Sequence, residues 1–139
     1  MKPTLVVDCS IAMAWCFSDE GTDATSRVLD RLAGEAALVP ALWFLEVANV
    51  LAMAEKRQRI LPANSMLFVQ LLSALDIQID NDFALRAFEQ IIPLCRSYAL
   101  TAYDAAYLDL ALRKQLPLAT LDDDLRRAGA GLGIELLGQ

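Results

Sequence analysis

Short apolar runs of strand length alternate along this chain with longer segments of helical periodicity, and four of the junctions carry a carboxylate. Leu5-Val6-Val7 leads into Asp8, and Leu118-Ala119-Thr120-Leu121 leads into Asp122. Glu46 sits inside Leu42-Trp43-Phe44-Leu45-Glu46-Val47-Ala48, and Asp104 inside Thr101-Ala102-Tyr103-Asp104, near the starts of two helices. Parallel strands need crossovers long enough to hold a helix, so this alternation predicts a mostly parallel sheet covered by helices on both faces. In such a sheet the carboxyl ends of the strands and the starts of the following helices share one edge, where ligands bind. Four acids gathered there repel one another and require positive charge among them. A divalent cation with oxygen ligands is the economical answer.

Absences narrow the chemistry further. With no histidine, the chain has no Ser-His-Asp or Cys-His triad, no imidazole base and no histidine zinc site. Cys9, Cys16 and Cys95 form no C-x-x-C pair and read as reduced, mostly buried residues of a cytosolic protein. Neither a P-loop nor a G-x-G-x-x-G occurs, so nothing cradles a nucleotide. Catalysis would have to come from carboxylates, hydroxyls and metal.

The elements follow from periodicity and caps. Strands are expected at Thr4 to Val7, Ala37 to Val39, Ile77 to Ile79, Leu118 to Thr120 and Ile134 to Leu137. Ser10 is the expected cap of a short helix from Ile11 to Cys16, and Gly34 stops a second that begins near Asp23. Pro40 opens a helix reaching Arg57, and Pro62 another ending near Leu75. Asp80-Asn81-Asp82 caps a helix from Phe83 to Tyr98 that Pro93 bends. Thr101 caps Ala102 to Lys114, and a last helix spans Asp123 to Ala130. The 139 residues form one domain, 1–139, without repeat or linker.

Apolar residues make up 56% of the chain, yet no run is long and apolar enough to cross a bilayer. Met1-Lys2-Pro3 leads straight into a strand, so no signal peptide is expected and the protein reads as cytoplasmic, away from membranes. The apolar excess is then covered by protein. Met66, Leu67, Phe68, Val69, Leu71, Leu72 and Leu75 wrap well beyond one core-facing stripe, which points to another chain, a second copy or a cognate partner. The net charge of −6 speaks against nucleic acid only until the four acids receive their cations. Basic clusters at Lys56-Arg57-Arg59, Arg113-Lys114 and Arg126-Arg127 read as helix C-terminal charges, with phosphate contact as the alternative.

Each acid has a structural and a chemical reading. Asp8 could merely cap a helix, but Ser10 can do that alone, and a carboxylate ending a buried strand is costly without a purpose. Glu46 is flanked by core residues, and Asn49, three residues on, shares its helix face. Asp104 would gain from the helix dipole in any case. In Asp122-Asp123-Asp124 one residue caps the next helix. Asp122, nearest the strand, is the preferred site residue and Asp124 the lesser candidate. Thr120 points to the same side as Asp122 and can assist it.

Together Val6-Val7-Asp8-Cys9-Ser10 with Trp15, Glu46-Val47-Ala48-Asn49, Thr101-Ala102-Tyr103-Asp104-Ala105-Ala106-Tyr107 and Leu118-Ala119-Thr120-Leu121-Asp122 resemble the PIN-domain ribonucleases, specifically the VapC-type toxins of toxin–antitoxin pairs. The resemblance spans nearly the whole chain. It implies a three-layer α/β/α domain with a parallel sheet of about five strands. It also implies an Mg²⁺- or Mn²⁺-dependent endoribonuclease that acts on RNA through metal-activated water, is held in check by an antitoxin, and forms a homodimer. Asp8 and Asp104 would be the principal metal ligands and Asp122 would complete the shell or hold a second ion. Glu46 would bind metal through water or position the attacking water. Ser10, Asn49 and Thr120 would orient these groups or touch phosphate.

Two other strand-end-aspartate designs fit less well. A haloacid-dehalogenase-like phosphatase needs a second acid where Ser10 stands, and the carboxylate order does not match a receiver domain. The alternative of a different class is a non-catalytic PIN-fold binding module, which would have no need of all four acids.

Overall fold

The unbroken apolar run after Pro3 has no polar face to give to solvent, so it belongs in the middle of a sheet. In the computed structural model, which describes residues 1–139, β1 (Pro3–Val7) occupies that place, with Leu5, Val6 and Val7 all buried. It is followed by α1 (Cys9–Cys16), α2 (Asp23–Arg31), β2 (Ala36–Pro40), α3 (Leu42–Lys56), α4 (Pro62–Ala74) and β3 (Ile77–Asp80). Then come α5 (Phe83–Arg86), a π-helical turn (Ala87–Ile91), α6 (Ile92–Tyr98), α7 (Ala102–Lys114), β4 (Leu118–Ala119), α8 (Asp123–Gly131) and β5 (Leu136–Leu137). The sheet order is β3-β2-β1-β4-β5, and every neighbouring pair is parallel. The expected mostly parallel sheet is wholly parallel.

Alternation along the strands builds a core on each face. Leu5, Val7, Ala37 and Ala119 pack with Ile11, Val28 and Leu32 of α1 and the α2 region. Val6, Leu38 and Leu118 face the larger core, where α3 supplies Trp43, Val47 and Leu51, α4 Phe68 and Leu72, and α8 Leu125 and Ala128. Helix α7 crosses that core with every residue from Ala105 to Ala111 buried. Its three buried alanines, Ala105, Ala106 and Ala111, bring the backbone close, while buried Leu108 and Leu110 each contribute about 2 kcal/mol of apolar burial. The result is a three-layer α/β/α domain.

Three local expectations are corrected. The cap of α1 is Asp8, not Ser10: the Ile11 N–H donates to Asp8 Oδ1 at 3.2 Å, and the helix begins at Cys9. Asp82 precedes α5 without capping it through its side chain, and Asp80 instead accepts from Arg113 at 2.7 Å. The helix expected over 83–98 is three pieces. Ile92 N–H reaches back to the Ala87 carbonyl just ahead of Pro93. Pro93 has no N–H and its ring crowds the carbonyl four residues earlier, so the chain widens into a π turn there. Thr101 caps α7 as expected, accepting from the Asp104 N–H at 3.2 Å.

Candidate active site

Asp8 terminates β1, and its own N–H donates to the Ala119 carbonyl at 3.1 Å, so the strand end is fixed to β4. The residue is 5% exposed. Ser10 donates to Oδ1 at 2.5 Å, the Ile11 N–H donates to the same oxygen, and the Thr120 hydroxyl donates to Oδ2. Both hydroxyls are themselves held. Leu121 N–H donates to Ser10 Oγ at 2.9 Å, and Asp122 N–H donates to Thr120 Oγ1 at 3.0 Å. Asp122 in turn caps α8, accepting from Leu125 N–H at 2.8 Å. The β1–α1 and β4–α8 junctions thus form one hydrogen-bonded unit. A carboxylate has about four acceptor positions, of which Asp8 uses three. The open one is on Oδ2.

Burial pushes the Asp8 carboxyl up to about 6 despite these three donors, and the charge of Asp104 adds to the rise. Asp104, half-buried in the first turn of α7, is raised chiefly by burial and then by the charge of Asp122. Glu46 on α3 is raised by burial and by Asp8 and Asp104, while a hydrogen bond from Tyr107 acts the other way. Acids that raise one another in this way form a patch of negative charge without a counter-charge.

The donor set fits a hard divalent cation, since every available atom is a carboxylate or hydroxyl oxygen. No three acidic or thiol side chains converge closely enough to close a shell unaided. An ion here would complete its coordination with water, as Mg²⁺ usually does. Cys9 lies next to Asp8, but burial and the charges of Glu46 and Asp8 push its thiol up to about 12, so it supplies no thiolate. All three cysteines are free and half-buried rather than mostly buried.

Of the seven expected site residues, the structure links Asp8, Ser10, Thr120 and Asp122 by hydrogen bonds and sets Asp104 and Glu46 within electrostatic reach of Asp8. Asn49 lies exposed about one turn beyond Glu46. Asp124 pairs with Arg127 at 3.0 Å on the exposed side of α8.

Two residues escaped the sequence reading. Tyr107, 1% exposed on α7, donates to Glu46 Oε1 at 2.5 Å across the larger core. Its position three residues after Asp104 was the available signal, since that spacing shares a helix face. Arg126, read in the sequence as surface charge, donates to the Thr120 carbonyl at 2.7 Å and the Leu137 carbonyl at 2.9 Å. It fastens the final segment beside the site, and nothing in the spacing revealed that.

A wholly parallel α/β/α domain with a histidine-free acidic cluster at the carboxyl edge of its central strands defines the class. Residues 5–131 match the PIN domain model, and the chain belongs to that family, whose members are generally nucleases. Among solved structures, PAE2754 from Pyrobaculum aerophilum superposes with a TM-score of 0.69 at 21% identity, covering 92% of this chain and 87% of that one. A toxin–antitoxin complex from Klebsiella pneumoniae gives 0.61 at 20% identity, covering 93% and 92%. FitAcB from Neisseria gonorrhoeae gives 0.64 at 16% identity, covering 95% of each chain. These similarities are of fold. No curated protein matches the chain.

Proposed function

We propose that this protein is a metal-dependent endoribonuclease, the toxin of a toxin–antitoxin pair, with Mg²⁺ or Mn²⁺ held by Asp8, Asp104 and Asp122. The carrying observation is Asp8, whose carboxylate is oriented by three donors and keeps one position open on Oδ2. A structural cap would need only the Ile11 N–H. When bound, the cation would supply Lewis acidity and make a bound water easier to deprotonate. Ser10 and Thr120 fix the carboxylate that would meet the ion, and Tyr107 holds one oxygen of Glu46 and leaves the other without a side-chain donor. Glu46 would position the attacking water, and Asn49, exposed one turn further along α3, would touch phosphate. The reaction needs no protein nucleophile, which suits a chain without histidine.

The antitoxin reading is supported by the similarity to a chain from a toxin–antitoxin complex and by exposed apolar side chains suited to protein partners. We assign the protein to the cytoplasm as a homodimer on the same grounds of apolar surface and reduced cysteines.

The test is incubation of partner-free protein with total RNA and Mg²⁺ or Mn²⁺, beside Asp8→Asn and an EDTA control. Discrete fragments with 5′-phosphate and 3′-hydroxyl ends, absent in both controls, are expected. Products ending in 2′,3′-cyclic phosphate would overturn the mechanism. A folded, metal-binding protein that cuts nothing would instead favour the binding-module alternative.

A further inference from the structure

Seven basic side chains form three clusters in the sequence, and the fold engages four of them internally. Arg113 pairs with buried Asp80 and Asp109, Arg127 with Asp124, and Arg126 donates to two backbone carbonyls. Arg59 donates to Asp19 at 2.8 Å and to Glu20 at 2.9 Å, and its guanidinium lies 3.8 Å from the centre of the Phe17 ring. Lys56, Arg57 and Lys114 enter none of the ion pairs. Of these three, only Arg57 lines a groove that also contains a residue of the candidate site, Asn49.

That groove has a volume of about 310 Å³ and is lined by Asn49, Val50, Met53, Ala54, Arg57 and Arg59. Its far wall is fixed. Gln58 adopts a left-handed conformation (φ 59°) and turns the chain back, and the Arg59 N–H donates to the Ala54 carbonyl at 2.8 Å. Its other end is marked by Asn49, three residues beyond Glu46 on α3, although none of the four acids lines it. Glu46, Val50, Met53 and Arg57 recur at helical spacing on one face of α3, so the groove continues the line that begins at Glu46. At 1.5 Å per residue, Arg57 lies roughly 16 Å along the axis from Glu46, a reach of about two or three nucleotides of extended strand.

Resting on the endoribonuclease reading, we infer that this groove carries the RNA strand on one side of the scissile bond, with Arg57 pairing a backbone phosphate and Asn49 and Met53 lining the path. The charge favours RNA over a protein segment. On a chain of net charge −6, a guanidinium outside every ion pair and a few turns along α3 from the acidic site offers a polyanion a local foothold. The more exposed apolar pairs, Met66 with Leu67 and Leu85 with Phe88, are on α4 and the α5–π segment, and Met53 is the only large exposed apolar side chain that lines the groove. Arg57 is exposed, so its removal leaves the core untouched.

The experiment has a binding arm and a cleavage arm. In an Asp8→Asn background, RNA affinity is measured at several salt concentrations with and without Arg57→Ala, and Lys114→Ala serves as a control of equal charge change. Arg57→Ala is expected to weaken binding of a long RNA about five- to tenfold and to lower the salt slope by about 0.7, the value for one phosphate contact on a single strand. Lys114→Ala should do neither. In the cleaving protein the same loss should appear in KM rather than kcat. It should vanish on an oligonucleotide trimmed to remove the distal phosphates, and Arg57→Lys should recover most of it. Equal affinity and salt slope for Arg57→Ala and Lys114→Ala would overturn the inference. So would weakened binding of a protein partner with RNA unaffected, which would give the groove to that partner. If the cleavage arm is silent, the nuclease reading falls while the binding arm still decides the groove.

Discussion

A carboxylate that ends a buried strand must be hydrogen-bonded on every accessible side or remain protonated, and Asp8 lies between these limits. Held at about 6 instead of 3.8, its ionised form costs the fold roughly 3 kcal/mol. The folded state binds this proton more tightly than the unfolded chain does. The metal-free protein should therefore lose stability as pH rises from about 4 to about 6, with the penalty constant above that. Asp8→Asn removes the charge, and its amide can donate to Thr120 Oγ1 while its oxygen keeps the Ser10 and Ile11 donors. Urea unfolding should find the variant more stable than the parent at pH 7.5, by up to about 3 kcal/mol, and not at pH 4, while cleavage is abolished. A less stable variant at pH 7.5 would make Asp8 a structural residue. Tyr107 permits a second measurement. Tyr107→Phe strips only the donor from Glu46, and lost outer-shell partners typically reduce activity 10- to 100-fold. The fall should lie in kcat, with KM for RNA nearly unchanged, because a residue this deep cannot touch substrate. Asp8 and Thr120 were singled out from the sequence because strand ends and two-residue spacings carry direction, whereas Ser10 was read there as a cap and entered the candidate site only through the family resemblance. Tyr107 was not singled out, since an aromatic in an apolar helix reads as packing until its partner 61 residues away is known.

At the scale of elements, caps and apolar periodicity located nearly every strand and helix to within a few residues. Two deviations, the Asp8 cap and the break at Pro93, have local causes, and the third lies in tertiary contacts. Asp80 could not serve as a helix cap because it is buried and committed to Arg113, which also holds Asp109 at 3.2 Å, while Arg86 grips Asp109 from the other side at 2.8 Å. No local pattern announces a network that joins the end of β3, α5 and α7. It explains how the irregular α5–π–α6 segment stays attached to the helix that carries Asp104. Removing Arg113 strands one buried carboxylate and half-releases another, and breaking buried pairs typically costs 3 to 5 kcal/mol. Arg113→Met should lower the free energy of unfolding by about 3 kcal/mol in urea. The loss should shrink when Asp80→Asn is added, because the orphaned charge is then gone. If the two substitutions simply add, the network is not energetically coupled.

For the molecule as a whole, composition forecast more apolar surface than a lone domain should expose, but not where it lies. Met66 and Leu67 on α4 are 58% and 62% exposed, whereas Phe68 and Leu72 of the same helix fill the core, so α4 is apolar on two sides. A separate pair, Leu85 and Phe88, is 86% and 84% exposed on the α5–π segment. If the proposed partners are a second copy and an antitoxin, α4 and the α5–π segment are two candidate faces for them, beside the exposed Phe44, Leu45 and Met53 of α3. Helix α4 is the better candidate for self-association, because it is regular and carries no charged residue. A two-fold axis beside it would set like against like without charge repulsion. Sedimentation at micromolar concentration should therefore show a dimer. Leu67→Glu should convert it to monomer by placing two carboxylates at the axis, whereas Phe88→Glu should leave the dimer intact and weaken the antitoxin. The reverse pattern would exchange the two faces, and a monomeric parent would leave both patches to heterologous partners. Leu67 is not among the residues proposed to hold the cation, so the monomer made by Leu67→Glu should still be stabilised by added Mg²⁺ even if cleavage needs both copies.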